Sequence, residues 1–580
     1  MYRGDEQLNM GSAGGKKRLY DPAEEACPTR AGVPRREEEE RFGRTGAVLV
    51  VCLMTLPFFV FFFGGRENAA AVWQSAASKL AAMNGGFTNA SHARSRGAAT
   101  KADELFGGLL APGLDRRACL SRYQSPQYYR HSPYAPSSRL LHKLRAYEAR
   151  HKKCGPGTPL YAKSIEQLRS GHGTEVMECN YLVWLPYNGI GNRMLSLLST
   201  FLYALLTGRV LLVYSTDDFT DLFCEPFPDA TWVLPPDFPV ANLSQLGWST
   251  DQSYKNLLGQ KKIVSDPEKA TVLTVPPYVY VNLAHDPRFT DTMFYCNDDQ
   301  LVLAKVNWLL LYSDLYFVPS LYSITEFQDE LQWLFPAKES VSHLLTRYLF
   351  HPTNSVWGLV TRYYHTYLAQ AEERIGMQIR MFSWASIPVD DMYNQILACS
   401  RREHILPDID GDEAGDTASL AKTNGVDAAA GLKAVLIASL HADYYDRIRS
   451  AYYEHAAKGG VRVGVFQPSH EERQKTGKRT HNQKALAEIY LLSFSDVLLT
   501  TGRSTFGYVS SSLAGLRPAI LHTPYNHKVP EMPCVRAISM EPCLHALPRV
   551  NCQRKAANKM DLARHVKACE DVGGGVKMFD

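Results

Sequence analysis

At 580 residues the chain exceeds what one hydrophobic core normally supports, so two or more domains are expected. Hydrophobic residues at 45% and aromatics at 11% exclude a disordered protein. The formal net charge of +4 is spread along the chain, with no basic block carrying interleaved aromatics, which argues against a nucleic-acid partner.

Residues 1–45 are polar and of mixed charge, as expected of a cytoplasmic tail. Residues 46–65, GAVLVVCLMTLPFFVFFFGG, follow without a single charge, long enough to cross a bilayer core as a helix. A secretory signal peptide has a shorter apolar region and a shorter leader. Arg35, Arg36, Arg41 and Arg44 precede the segment, and membrane orientation follows Lys and Arg. A single-pass type II anchor is therefore expected, with everything after Gly65 in a lumen. Residues 66–104, rich in Ala, Gly and Ser, read as a stem.

Of the twelve cysteines, Cys27 lies in the tail and Cys52 in the anchor. The other ten are scattered without a C-x-x-C pair, which favours luminal disulfides over zinc, in pairings that spacing does not reveal. Asn89 and Asn242 begin N-x-S glycosylation acceptors.

Two regions alternate strand and helix patterns. The first runs from the apolar ECNYLVWLP through a glycine turn, YNGIGNR, and the helix MLSLLSTFLYALLTGR to a second strand, VLLVYS. The second contains GMQIRMF, LKAVLIASL, RVGVFQPS, the helix NQKALAEIYLLSFS, DVLLTT, the stretch GRSTFGYVSSSLAGLRP and RPAILH. Strands separated by helices of this length imply parallel βαβ units, hence an α/β protein. The expected fold is two Rossmann-like doubly wound domains facing a cleft, at 105–360 and 361–545, with a carboxyl-terminal extension at 546–580. Residues 408–431 form a polar surface insertion. Its Asp408, Asp410 and Asp412 open like a calcium loop, but Glu413 and Ser419 stand where glycine and a bidentate Glu belong.

Ligands of such sheets lie beyond the carboxyl ends of the strands. Asn188, Gly189, Gly191, Asn192 and Arg193 form a turn suited to positive φ and close backbone approach, without the full dinucleotide fingerprint. Arg380 ends a strand-like run, where it would clamp a phosphate bidentately or make a surface salt bridge. After DVLLTT, a helix starting near Phe506 or Gly507 would offer unpaired N–H groups to an anion. Ser504 and Thr505 are equally ordinary N-caps.

With YNGIGNRMLSLLSTFLYALLTGRVLLV, DLFCEPFP, YFVPSL, RYLFHPTNSVW, GMQIRMFSW, VGVFQPSHEERQ, HNQKALAEIYLLSFSD, STFGYV and GLRP, the chain resembles the plant cell-wall α-1,2-fucosyltransferases, typified by xyloglucan fucosyltransferase, over Tyr147 to Cys543. The resemblance implies a Golgi type II enzyme moving L-fucose from GDP-fucose to a galactose 2-hydroxyl with inversion. It also implies a variant B-type glycosyltransferase architecture with GDP in the carboxyl-terminal half. It carries Gln467, Ser469, His470, Gln483 and Glu488 into the donor site beside Arg380, Ser504, Thr505, Phe506 and Gly507. It makes Asp314 the candidate base, a turn or cap role being equally open, with His470 and His481 behind it. Met377 and Arg503 depart from the family pattern, which tends to have Ile and Trp there. The only Asp-x-Asp lies in the insertion, and Asp217–Asp218 and Asp298–Asp299 read as caps or solvated loops. No metal or other cofactor is expected, and Arg380, the Ser504 and Thr505 hydroxyls and the helix N-terminus take the metal's place. The expected partners are GDP-fucose, a galactose-terminated cell-wall glycan and the Golgi membrane, and a homodimer is admitted. The alternatives are an arabinogalactan-protein fucosyltransferase and a non-catalytic glycan-binding relative.

Overall fold

The apolar run at residue 181 is strand β1, Tyr181–Leu185, buried at every position. A strand apolar on both faces belongs inside a parallel sheet covered by helices. The computed structural model describes residues 103–580 apart from 172–175, 216–218, 273, 287, 410–430, 551 and 553–561. The tail, the anchor at 46–65, the stem to residue 102, Asn89, Asp217–Asp218 and insertion residues 410–430 lie outside the described residues. Among the described residues no helix is long and apolar enough to cross a membrane.

β1 pairs in parallel with β2, Val210–Val213, and with β4, Trp308–Ser313. β4 pairs in parallel with β3, Tyr278–Leu283, giving the order β2-β1-β4-β3. The second sheet contains β5 (Glu373–Ile379), β6 (Leu432–Ser439), β7 (Arg462–Phe466), β8 (Val497–Thr501), β9 (Ala519–Leu521) and β10 (Cys534–Arg536), in the order β10-β9-β8-β5-β6-β7. Its neighbours are parallel except β10, an antiparallel edge strand outside the expected βαβ pattern. β11 (Val566–Ala568) and β12 (Val576–Met578) make a separate antiparallel pair.

The helix Ile190–Thr207 ends at Gly208, whose φ of 64° is the left-handed geometry that stops a helix cheaply. The helix Thr505–Ala514 packs against this helix, against Val341–Leu349 and against Arg479–Ser493. These helices fill the space between the sheets. Leu182 and Trp184 of β1 therefore share one apolar cluster with Ala434, Leu436 and Leu498 of the second sheet. The alternate positions Tyr181 and Val183, and Ile375 and Met377, face separate clusters on the outer sides. Each fully buried apolar side chain contributes about 2 kcal/mol. The relation between the two sheets is thus set by a core rather than by a hinge. Arg347 adds a polar lock, donating from Nε and Nη2 to the Leu513 carbonyl at 3.0 and 2.9 Å while lying 4.1 Å over the Tyr129 ring.

The ten cysteines after residue 65 pair as Cys119–Cys224, Cys154–Cys179, Cys296–Cys552, Cys399–Cys534 and Cys543–Cys569. Cys296–Cys552 ties the late part of the chain back to the first sheet's half. Asn242 is exposed at a turn with φ 55°, open to modification. Asp298 and Asp299 stand in the first turn of the helix Asn297–Leu303, and Asp299 is buried there rather than solvated, accepting the Tyr254 hydroxyl at 2.5 Å.

Candidate active site

The carboxyl ends of both sheets open into one cleft of about 820 Å³. From the first sheet it is lined by Asn188–Asn192 after β1, His285 after β3 and Asp314 after β4. From the second come Gln378–Arg380 at the end of β5, Ser439 at the end of β6, Ser469 and Gln474 after β7, and Arg503–Phe506 after β8. The helix Arg479–Ser493 adds His481, Asn482, Lys484, Ala485 and Glu488.

The two halves meet at their helix starts. A Cβ on Gly191 would lie 2.7 Å from Thr505 Oγ1, 2.8 Å from the Thr505 carbonyl carbon and 2.9 Å from the Phe506 nitrogen. Only glycine allows the 190–207 and 505–514 helices to bring their N-termini so close. Thr505 Oγ1 donates to Asn192 Oδ1 at 3.0 Å, and Asn192 Nδ2 donates to the Asp314 carbonyl at 3.2 Å. Two partially positive helix ends therefore converge, which is unfavourable until an anion joins them.

Arg380 stands beside this point. Gln378 pairs with Thr500, and the Arg380 N–H donates to Thr501 Oγ1 at 2.9 Å, so its side chain leaves β5 next to the 502–505 turn. Its guanidinium donates from Nη2 to Gln474 Oε1 at 3.1 Å, and its partial burial lowers its pKa. Among the described residues it has no carboxylate partner. The salt-bridge alternative is thereby set aside, and the partner of the guanidinium is a neutral amide. Gln474 also fills the space over Gly189, where a Cβ would meet its Nε2 at 2.8 Å.

The turn after β8 departs from expectation in its details. The helix begins at Thr505, one residue before the expected start, and Ser504 is its N-cap without a side-chain cap bond. The Ser504 hydroxyl is left for another partner, whereas the Thr505 hydroxyl is used against Asn192. Gly502 and Gly507 are both needed for space. A Cβ on Gly502 would meet Asp571 Cβ at 2.9 Å, and one on Gly507 would meet Thr500 Cβ at 2.9 Å. Gly507 thus packs against the sheet rather than lining the cleft. The left-handed residue is Arg503, at φ 64°, its N–H held by Asp571 Oδ2 at 2.7 Å and its guanidinium 5.5 Å over the Trp384 ring. Asp571 also accepts the Tyr508 hydroxyl at 2.5 Å, and Val572 and Gly573 line the cleft. In the glycine turn, likewise, Asn188 carries the positive φ, at 63°.

Other expected donor-site residues divide. Ser469 donates to Glu488 Oε1 at 2.5 Å, and burial pushes the Glu488 carboxyl up to about 7. His481 lines the cleft, while Gln483, two positions along the helix, faces elsewhere. Gln467 is buried and donates to the Ser439 carbonyl at 3.1 Å, behind the lining. His470 is exposed against Tyr445, and Arg193 is buried within its helix; neither lines the cleft.

Asp314 is not a lone carboxylate. Its Oδ1 accepts the His285 N–H at 2.9 Å and its Oδ2 meets His285 Nδ1 at 2.6 Å. This hydrogen bond is the main cause raising the His285 pKa. His285, Gln474 and Asp571 escaped sequence reading because each acts on a residue far away in the chain. The one local hint was LAHDPRF directly after an apolar run. Among the described residues the one cluster with metal-ligand spacing is Cys543, Cys569 and Asp571, and its cysteines are bonded to each other.

Comparison with known proteins adds a lineage to this geometry. A family model described as xyloglucan fucosyltransferase matches residues 78–553. A galactoside 2-alpha-L-fucosyltransferase from Pisum sativum is 48% identical over 480 residues, covering 82% of each chain. One of the same name from Arabidopsis thaliana is 47% identical over 478 residues, covering 82% of this chain and 83% of that one. The structure of a mutant of Arabidopsis thaliana FUT1 in complex with GDP matches with a TM-score of 0.73 at 45% identity, over 82% of this chain and all of that one.

Proposed function

This chain belongs to the xyloglucan fucosyltransferase family, and on that premise we propose that it transfers L-fucose from GDP-fucose to a galactose 2-hydroxyl of a cell-wall glycan, xyloglucan first among the acceptors. The transfer inverts the anomeric centre and uses no metal. The observation that carries the reading is the meeting of Arg380 with two helix N-termini, Gly191 and Thr505 in contact, at the floor of one cleft. Three sources of positive potential at one point suit a pyrophosphate.

In this reading 361–545 holds the donor and 105–360 presents the acceptor. As the bond from fucose C1 to the β-phosphate oxygen breaks, the growing charge on GDP meets Arg380, the Ser504 hydroxyl and both helix starts. GDP bound to a relative of 45% identity supports the donor assignment. The acceptor side is supported by an aromatic pair at the rim, of which Tyr187 is exposed and Tyr312 half-buried. The Tyr187 and Tyr312 rings meet edge to face at 5.4 Å just beyond β1 and near the end of β4, which leaves the exposed Tyr187 ring for a sugar. Five disulfides support an oxidising lumen and hence the Golgi reading of the segment at 46–65.

The test is transfer of labelled fucose from GDP-fucose by the full chain to xyloglucan and to arabinogalactan acceptors, with product linkage determined. An α-1,2 product on xyloglucan is expected; labelling of arabinogalactan alone would move the chain to the alternative acceptor. Activity should also persist in excess chelator, because the cleft's own cations meet the leaving charge. Complete loss in chelator, restored by Mn²⁺ or Mg²⁺, would overturn the metal-free mechanism.

A further inference from the structure

His285 and Asp314 sit where β3 and β4 end side by side, Leu283 pairing with Ser313. The Asp314 side chain is 5% exposed, and both its oxygens are engaged by His285, one by the backbone N–H and one by the ring. Each oxygen of Asp314 thus already accepts one hydrogen bond from His285, and burial leaves an acceptor hydroxyl little access to the acceptor sites that remain. The His285 side chain, by contrast, is 66% exposed and lines the cleft. A carboxylate only accepts hydrogen bonds, so the Nδ1 atom facing Oδ2 must carry the proton. That leaves Nε2 bare, with a lone pair. The carbonyl of Asp314 is held in turn by Asn192, which is joined to Thr505 at the helix convergence. A single chain of hydrogen bonds therefore links His285 to the floor of the cleft.

We propose that His285 is the catalytic base of the transfer, taking the acceptor hydroxyl's proton on Nε2, with Asp314 as its positioning partner. This rests on the fucosyl-transfer reading above. The acceptor oxygen forms a bond to fucose C1 while the C1–O bond to the β-phosphate breaks, its electron pair leaving with GDP. The hydroxyl proton passes to Nε2, and the resulting imidazolium is stabilised by the Asp314 carboxylate until it releases the proton to solvent. The charged and titratable groups around His285 are Asp314, Asp286 and His545. Asp314 and Asp286 favour its protonated form. His545, kept neutral by burial, opposes that form if it becomes charged. Tyr312, also close to Asp314, is held neutral by burial and by that carboxylate.

Because the histidine pKa is raised, the base is lost as pH falls through a value above the ordinary 6.5. Transfer kcat/KM should therefore fall on the acid side from near-neutral pH. The test measures transfer and GDP affinity for the native protein, H285Q and D314N from pH 5 to 9. H285Q should lose about 100-fold or more in kcat/KM and its acid limb, with GDP affinity and melting temperature unchanged. D314N should fall steeply too, because an amide nitrogen would face one of the two donors from His285 and disturb the tautomer. Its remaining acid limb should move to lower pH. Near-native turnover in H285Q would overturn the proposal. So would a loss in H285Q that leaves the acid limb in place, which is the mark of a packing role. A native protein that neither binds GDP nor transfers fucose would refute the functional reading itself, and these outcomes are separable.

Discussion

Arg380→Lys is expected to lower kcat/KM for fucosyl transfer by about 100-fold or more, since one lost charge-stabilising donor removes about 3 kcal/mol. Arg380 is partly buried at the end of β5, and among the described residues it has no carboxylate partner. Its one side-chain hydrogen bond goes to a neutral amide, that of Gln474. A cation desolvated without a counterion is an arrangement held ready for an anion. Lysine keeps the charge but loses the planar fork that grips two phosphate oxygens at once, so it should not rescue. The variant should fold normally, because the Arg380 backbone bond to Thr501 does not involve the side chain. GDP affinity should fall and acceptor KM should stay near native. Ser504→Ala should cost less, because the backbone N–H groups of the helix start remain. A lysine variant with near-normal turnover, or one that loses acceptor affinity while holding GDP, would place the donor in the wrong half.

Gly191→Ala is expected to act from the opposite side of the cleft with comparable force. The added methyl would meet two backbone atoms, the Thr505 carbonyl carbon and the Phe506 nitrogen, at 2.8 and 2.9 Å. Backbone inside a packed helix start cannot yield as a flexible side-chain end can. The two helices must separate, and a misplacement of about 1 Å at a reacting site costs on the order of 100-fold. Overpacking of this kind also destabilises by about 1–3 kcal/mol, so the melting temperature should drop. Gly259→Ala is the control: nothing lies within 4 Å of its Cβ position, and it should leave both quantities alone. Normal transfer by the Gly191 variant would mean that the contact between helix starts is dispensable.

How much of this was legible in the sequence depended on the range of the interaction. β1, β2, β5, β6, β8 and β9 are legible as apolar runs next to helical patterns, because a parallel strand buried on both faces needs such a run, and the half-exposed edge strand β7 is legible from its place between two helical patterns. β3 and β4 were passed over. Their runs, YVYVNL and WLLLYS, are flanked by long connecting segments and short helices, so the helical pattern that frames a βαβ unit is missing. β10 is three residues on an antiparallel edge and gives almost no signal. In the site, Arg380 and Ser504 were placed from local pattern alone. The 188–193 turn has both features its sequence suggests, a positive φ at Asn188 and close backbone approach at Gly191, whereas the left-handed Arg503 gives no such signal. His285 lies 29 residues from Asp314 and Asp571 lies 68 from Arg503, distances over which a single sequence carries no pairing information.

Asp571 has a consequence for how the enzyme is made. It is synthesised after both sheets, Arg380 and the 505–514 helix, yet it fixes Arg503 in its left-handed turn, and Val572 and Gly573 beside it line the cleft. The Cys543–Cys569 bond that anchors this stretch cannot close until residue 569 has been made. The ribosome therefore delivers both sheets while the turn that carries Arg503 is still unsupported. Any message shortened between the codons for Arg536 and Asp571 would encode both sheets with an unfinished cleft. In a genetic screen, such late stop codons belong with the null alleles.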